Sequence, residues 1–112
     1  MNPIPIVHLC AAMITTIVSV PMIRRKVKMN PWYGIRIRAS FQSEAAWYDI
    51  NHYGGCLLLT WSLLIAATAT VGMFVERRYW LTYNWTAAVI ILGGLALVMA
   101  KTLVYARKRK NA

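Results

Sequence analysis

Asp49 and His52 stand three positions apart, a spacing that sets both side chains on one face of a helix and that acid/base pairs and paired metal ligands also use. Neither chemistry is completed nearby. No third ligand follows at metal spacing, Cys10 and Cys56 form no CxxC pair, and HExxH, GxSxG and GxxxxGK signatures are missing. The pair reads as part of a solvated face, so no catalytic residue, metal or cofactor is expected. His8 is a second candidate, because an ionisable group inside an apolar run is functional by default. It lies near the start of that run, however, where interfacial water reaches it. Glu44 and Asp49 are two of only three acidic residues, and both lie close to Arg36 and Arg38. Pairing between these charges is expected to order the segment that carries them. A competing reading gathers Arg36, Glu44, Asp49 and His52 around a polar site for an anionic lipid or small substrate, as in a small transporter or membrane-enzyme component. An accessory subunit of a larger membrane complex is a third.

The elements that must position these residues are written in the hydropathy. Of 112 residues, 59% are hydrophobic and 14% charged, with the charges clustered. Ile4 to Ile23, Gly54 to Val75 and Trp80 to Ala100 are uncharged runs of at least 20 residues. Each is long enough to cross a hydrocarbon core of ~30 Å as a helix. None has the polar face of a soluble bundle helix. The basic cluster follows the first run instead of preceding it, which is not the order of a signal peptide. The expected fold is therefore all-α: a single polytopic membrane domain over residues 1–112, with helices at about 4–23, 54–75 and 80–105.

Charge placement gives the orientation. Arg24, Arg25, Lys26, Lys28, Arg36 and Arg38 lie between helices one and two, and Lys101, Arg107, Lys108, Arg109 and Lys110 near the C-terminus. Only Arg77 and Arg78 occupy the second connector. The positive-inside rule puts the N-terminus outside and the long loop and C-terminus in the cytoplasm. The basic patches are then topogenic and face anionic headgroups; no nucleic-acid site is indicated.

Residues 24–53 form the long polar connector. Asn30-Pro31 and Tyr33-Gly34 are turn chemistry. Ser40 is expected to cap a short interfacial cytoplasmic helix over about 41–53, with Glu44 in its first turn. Glu44, Trp47 or Tyr48, Asn51 and Gly55 then share one face. Trp32, Trp47, Tyr48 and Tyr53 suit the headgroup layer, and Gly54-Gly55 would turn the chain into helix two. Ala11, Thr15 and Ser19 on helix one, Thr68 and Gly72 on helix two, and Ala96 and Ala100 on helix three offer small-residue packing surfaces. Tyr79, Trp80, Tyr83, Trp85 and Tyr105 make aromatic belts.

The run Asn30-Pro31-Trp32-Tyr33-Gly34-Ile35-Arg36, followed by Ser40, Glu44, Trp47, Asn51 and Gly54-Gly55 at the entry to a hydrophobic helix, resembles the SdpI family of small bacterial integral membrane proteins. Ile37-Arg38 departs from its pattern, in which a threonine commonly follows the arginine. The resemblance implies an immunity-type protein of the bacterial cytoplasmic membrane, one that protects the cell against a secreted membrane-active peptide toxin or bacteriocin. It also implies a signalling receptor that holds a transcriptional repressor at the membrane. Longer relatives carry more helices, which implies a homodimer for a three-helix chain. Carried over by position, the family's loop residues are Asn30, Pro31, Gly34, Arg36, Trp47 and Gly54. Glu44 and Asn51 accompany them.

Overall fold

The structure, a computed structural model, describes residues 1–111. It holds three long helices: α1 (Ile4–Ile23), α2 (Glu44–Gly72) and α3 (Trp80–Asn111). Single 3-10 turns at Arg38–Phe41 and Arg77–Tyr79 lie in the two connectors. There is no strand among the described residues. Prolines open α1, where the first amides lack intrahelical partners in any case. Asn2 joins that end to α3, its Nδ2 donating to Asn84 Oδ1 at 2.9 Å. The helix α2 is central, with α1 and α3 both packed along it. The long axis of 52 Å exceeds the hydrocarbon thickness, so both ends of the bundle reach beyond it.

The distribution of side-chain size identifies the solvent. The buried positions of the spans are mostly small, namely Ala12, Ser19, Ser62, Ala69 and Ala87. Large apolar side chains such as Ile14, Ile17, Leu63, Val71, Leu81 and Leu92 point outward. Water would not tolerate so continuous an apolar surface. In lipid, small residues let helix backbones approach while large ones meet the acyl chains. All three helices are long and apolar enough to cross a membrane, and the chain is an all-α polytopic membrane protein.

Polar side chains join the helices. The Thr16 and Ser62 hydroxyls lie 2.9 Å apart across α1 and α2. Trp61 Nε1–H donates to the Ile91 carbonyl at 2.9 Å, its ring lying over Gly94. The Tyr83 hydroxyl donates to the Thr68 carbonyl, also at 2.9 Å. A bond made across helices inside the bilayer has no water competing for it.

Several expectations are corrected here. The stripe of α1 that packs on α2 runs through Pro5, Ala12, Ser19 and Met22, whereas Ala11 is exposed. Ala96 and Ala100 are exposed as well. Tyr83 faces α2, and Tyr105 stacks on Tyr53 with ring centroids 4.2 Å apart, so neither belongs simply to an aromatic belt. The largest change concerns the interfacial helix. Ser40 does not cap it; Ser43 does, its Oγ accepting from the Ala46 amide at 3.0 Å. From Glu44 the helix then runs without interruption through Gly54-Gly55 to Gly72. The reason is steric. An added Cβ at Gly54 would overlap Ile35 Cδ1, and one at Gly55 would fall 3.1 Å from Met22 Cβ. These glycines admit neighbouring chain and do not turn their own.

Candidate functional site

The polar connector folds back onto the first turns of α2, and the family-type motif is the means. Asn30 begins it. Its Oδ1 accepts from the amides of Trp32 at 2.8 Å and Tyr33 at 2.6 Å, and its Nδ2 donates to the Lys28 carbonyl. This is an Asx turn, and Pro31 suits it because it presets φ and needs no amide partner. Arg36 closes the same turn from the far side, with Nη1 donating to the Pro31 carbonyl at 2.6 Å. The Tyr33 hydroxyl meanwhile donates to the Val18 carbonyl on α1.

Gly34 has φ +108°, a backbone conformation that disfavours every L side chain. A Cβ there would also fall 2.6 Å from Asn51 Oδ1 and 3.2 Å from the Trp47 ring. Close approach of this backbone to α2 is what the motif achieves. Asn51, almost fully buried, accepts from the Ile35 amide at 2.6 Å through Oδ1. Its Nδ2 donates to the Trp47 carbonyl at 2.9 Å and lies 3.5 Å from the Ile35 carbonyl. Trp47 is fully enclosed, and its Nε1–H donates to the Val27 carbonyl at 2.7 Å. The expectation that Trp47 sits among headgroups is therefore wrong. The indole is core, and it fixes the exit from α1. Trp32 remains 84% exposed and is free to serve as the interfacial anchor.

Ser40, also buried, stitches the connector to itself. The Ile37 amide donates to its Oγ at 3.1 Å, and that hydroxyl lies 2.8 Å from the carbonyls of Ile35 and Ile37.

Asp49 organises the charges. It accepts from Arg25 Nη1 at 2.7 Å, and its other oxygen faces Arg109, with Nη2 and Nε both at 3.0 Å. Arg25 ends α1 in a Schellman arrangement: its amide bonds to the Met22 carbonyl and the Lys26 amide to the Pro21 carbonyl. Its φ of +59° is one that glycine usually supplies. Backbone strain of about 1 kcal/mol is thus accepted at the residue whose guanidinium reaches Asp49. Asp49 lies in the polar first turns of α2, outside the apolar stretch that begins at Gly54. The Arg25 hydrogen bond, opposed by partial burial and helped by Arg109, holds its carboxyl below the usual carboxylate range.

The expected pairing of Arg36 or Arg38 with Glu44 or Asp49 does not form. Arg36 closes its own turn and Glu44 makes no ion pair among the described residues, while Asp49 is taken by two arginines read from sequence as topogenic. His52 is also engaged elsewhere. Its Nδ1–H donates to the Ile23 carbonyl at 2.6 Å, completing the α1 terminus. Arg36, Glu44, Asp49 and His52 therefore do not gather around one polar site. His8 has an enclosed Nδ1 without a hydrogen-bond partner, the one such side-chain atom among the described residues. No group of three His, Cys, Asp or Glu capable of holding a metal occurs among them either.

Chemically, the arrangement is a lock. Its polar groups recognise this chain's own carbonyls and amides, and it fastens the connector, α1 and α3 to the start of α2. No curated protein and no solved structure matches the chain. The model of one family does, over residues 26–106, a stretch that takes in the connector from Lys26 onward, α2 and most of α3. On that match the chain belongs to the SdpI/YfhL protein family.

Proposed function

We propose that this protein confers immunity on a bacterial cell against a secreted, membrane-active peptide toxin or bacteriocin. In this reading it sits in the cytoplasmic membrane with its N-terminus outside and its connector and C-terminus in the cytoplasm. The exposed apolar faces of the helices meet the toxin within the bilayer. The locked connector presents Trp32, Phe41 and its unpaired basic residues as a rigid docking surface for a cytoplasmic repressor.

The observation that carries the reading is the inward use of the family motif. Asn30, Trp47 and Asn51 direct their polar atoms to backbone groups of the same chain, which supports a binding platform and not a transport or catalytic site. The positive-inside distribution of lysine and arginine supports the orientation.

Expression in a toxin-sensitive bacterium, challenged with a panel of membrane-active peptides, tests this directly. Survival should rise against at least one peptide, and unchanged killing across the panel would overturn the proposal. Arg36→Ala and Trp47→Ala should lower accumulation or protection more than Lys108→Ala. Removing a buried tryptophan typically costs ~3–5 kcal/mol, whereas an exposed lysine contributes little. Equal effects of the three would reduce the motif to a topology signal.

A further inference from the structure

Two depressions run into one another where the connector meets α3. The first is a groove of about 230 Å³ whose lining, including Ile35, Ile37, Leu58 and Leu103, carries no charged side chain. The second, of about 450 Å³, shares Ile37 and Leu103 with it and adds Arg38, Gln42, Arg107 and Lys110. Together they make one trough that passes from hydrocarbon-like walls to three cations within the length of a few side chains.

The cations are uncompensated among the described residues: Arg38, Arg107 and Lys110 have no carboxylate partner there. Asp49 is occupied by Arg25 and Arg109, and Glu76 pairs with Arg78 in the other connector, at 3.0 Å. Two guanidinium groups are suited to bidentate contact with phosphate oxygens, and a lysine adds a point charge. An amide at Gln42 supplies both a donor and an acceptor. What fits such a trough is a molecule with a long apolar tail joined to an anionic phosphate.

We propose that the trough binds one anionic phospholipid from the leaflet at the connector end of the bundle. An acyl chain lies along Ile35, Leu58 and Leu103, and the phosphate sits among Arg38, Arg107 and Lys110. Headgroup charge provides selectivity. A zwitterionic lipid brings its own ammonium into a cluster of three cations, while an anionic one does not. This differs from the diffuse attraction of Arg24, Lys26 and Lys28 for the leaflet, because here two arginines and a lysine stand together at the mouth of an apolar groove. The lipid also joins two parts of the fold, since Ile37 and Arg38 belong to the connector and Arg107 and Lys110 to α3.

The test is native mass spectrometry of the full chain, purified in mild detergent with equimolar phosphatidylglycerol and phosphatidylcholine of identical acyl chains. The parent should retain one phosphatidylglycerol in preference to phosphatidylcholine. Each arginine removed, as in Arg38→Ala and Arg107→Ala, should lower that preference about fivefold. Lys26→Ala with Lys28→Ala, which takes cations from the same end but not from the trough, should leave it unchanged. Leu103→Trp fills the groove, retains every cation, and should reduce retention of both lipids. Equal retention by the parent overturns the proposal, as does equal loss in the Lys26 and Lys28 variant. So does displacement of the lipid by glycerol phosphate at equal concentration, which would make the groove irrelevant. Should the arginine-to-alanine variants fail to accumulate, Arg38→Gln read against Lys28→Gln gives the same comparison with a milder change.

Discussion

Asn51 holds the backbone of Ile35 by its amide and lies against its carbonyl, as a neighbouring strand would. Its Oδ1 accepts from the Ile35 N–H at 2.6 Å, and its Nδ2 sits 3.5 Å from the Ile35 carbonyl while donating to Trp47. One buried side chain thus satisfies a segment that has no secondary structure of its own at that point.

Asn51→Ala should therefore leave the Ile35 amide without a partner, while the Ile35 carbonyl keeps the Ser40 hydroxyl. A buried polar group orphaned in this way typically costs ~1–3 kcal/mol. Hydrogen exchange in detergent should speed up by an order of magnitude or more at Ile35 and its neighbours, since ~1.4 kcal/mol is tenfold. Amides in the middle of α3 should not change, and uniform acceleration throughout the chain would show that Asn51 serves the bundle at large.

Gly54 gives a second, opposite kind of test, in which an atom is added. Gly54→Ala puts a methyl against Ile35 Cδ1, the movable end of a side chain, and should destabilise by ~1 kcal/mol, the low end of the usual cost of overpacking. Ile35→Ala in the same chain removes the overlapping group, so the double variant should melt above the sum expected from the two singles. Strict additivity in thermal unfolding would mean that the connector does not rest on Gly54.

Asp49 makes stability depend on acid. Its carboxyl titrates below the ordinary value near 4 because Arg25, aided by Arg109, favours the charged form. A folded-state pKa that is depressed gives stability that is fully present above the unfolded value and lost as pH falls through the folded one. The melting temperature of the parent should thus fall progressively as pH drops below about 4. Asp49→Asn should start lower at neutral pH and show a smaller drop. An identical acid profile in both proteins would show that Asp49 is not its source.

The spans were legible because nothing interrupts them: from Ile4 to Ile23 there is no charge that a bilayer would reject. The turns at Asn30-Pro31 and Gly34 were legible because their chemistry is local. The role of Trp47 was not, since an indole that suits the headgroup layer also suits a core with a free carbonyl, and Val27, which supplies it, lies 20 residues earlier. Gly54-Gly55 was misread for a related reason. Glycine marks both a bend and a close approach, and only the position of Ile35 distinguishes them. The partners of Asp49 were least accessible of all, because Arg109 lies 60 residues away and no periodicity links them. The alternative at Arg36 and Glu44 was nearer in sequence but, in the fold, Arg36 turns back to Pro31.

The two arginines on Asp49 also differ in when they come into being. Arg25 leaves the ribosome before Asp49 does, so α1, the connector and α2 can close around one another with half of that carboxylate already engaged. Arg109 is made only after α3 has passed through synthesis almost entirely. Until then the carboxylate keeps an oxygen to offer. The second guanidinium thus acts as a mark that α3 is in place, and a chain halted within α3 would carry the whole family motif while lacking the ion pair that ties the far end of α3 to the start of α2.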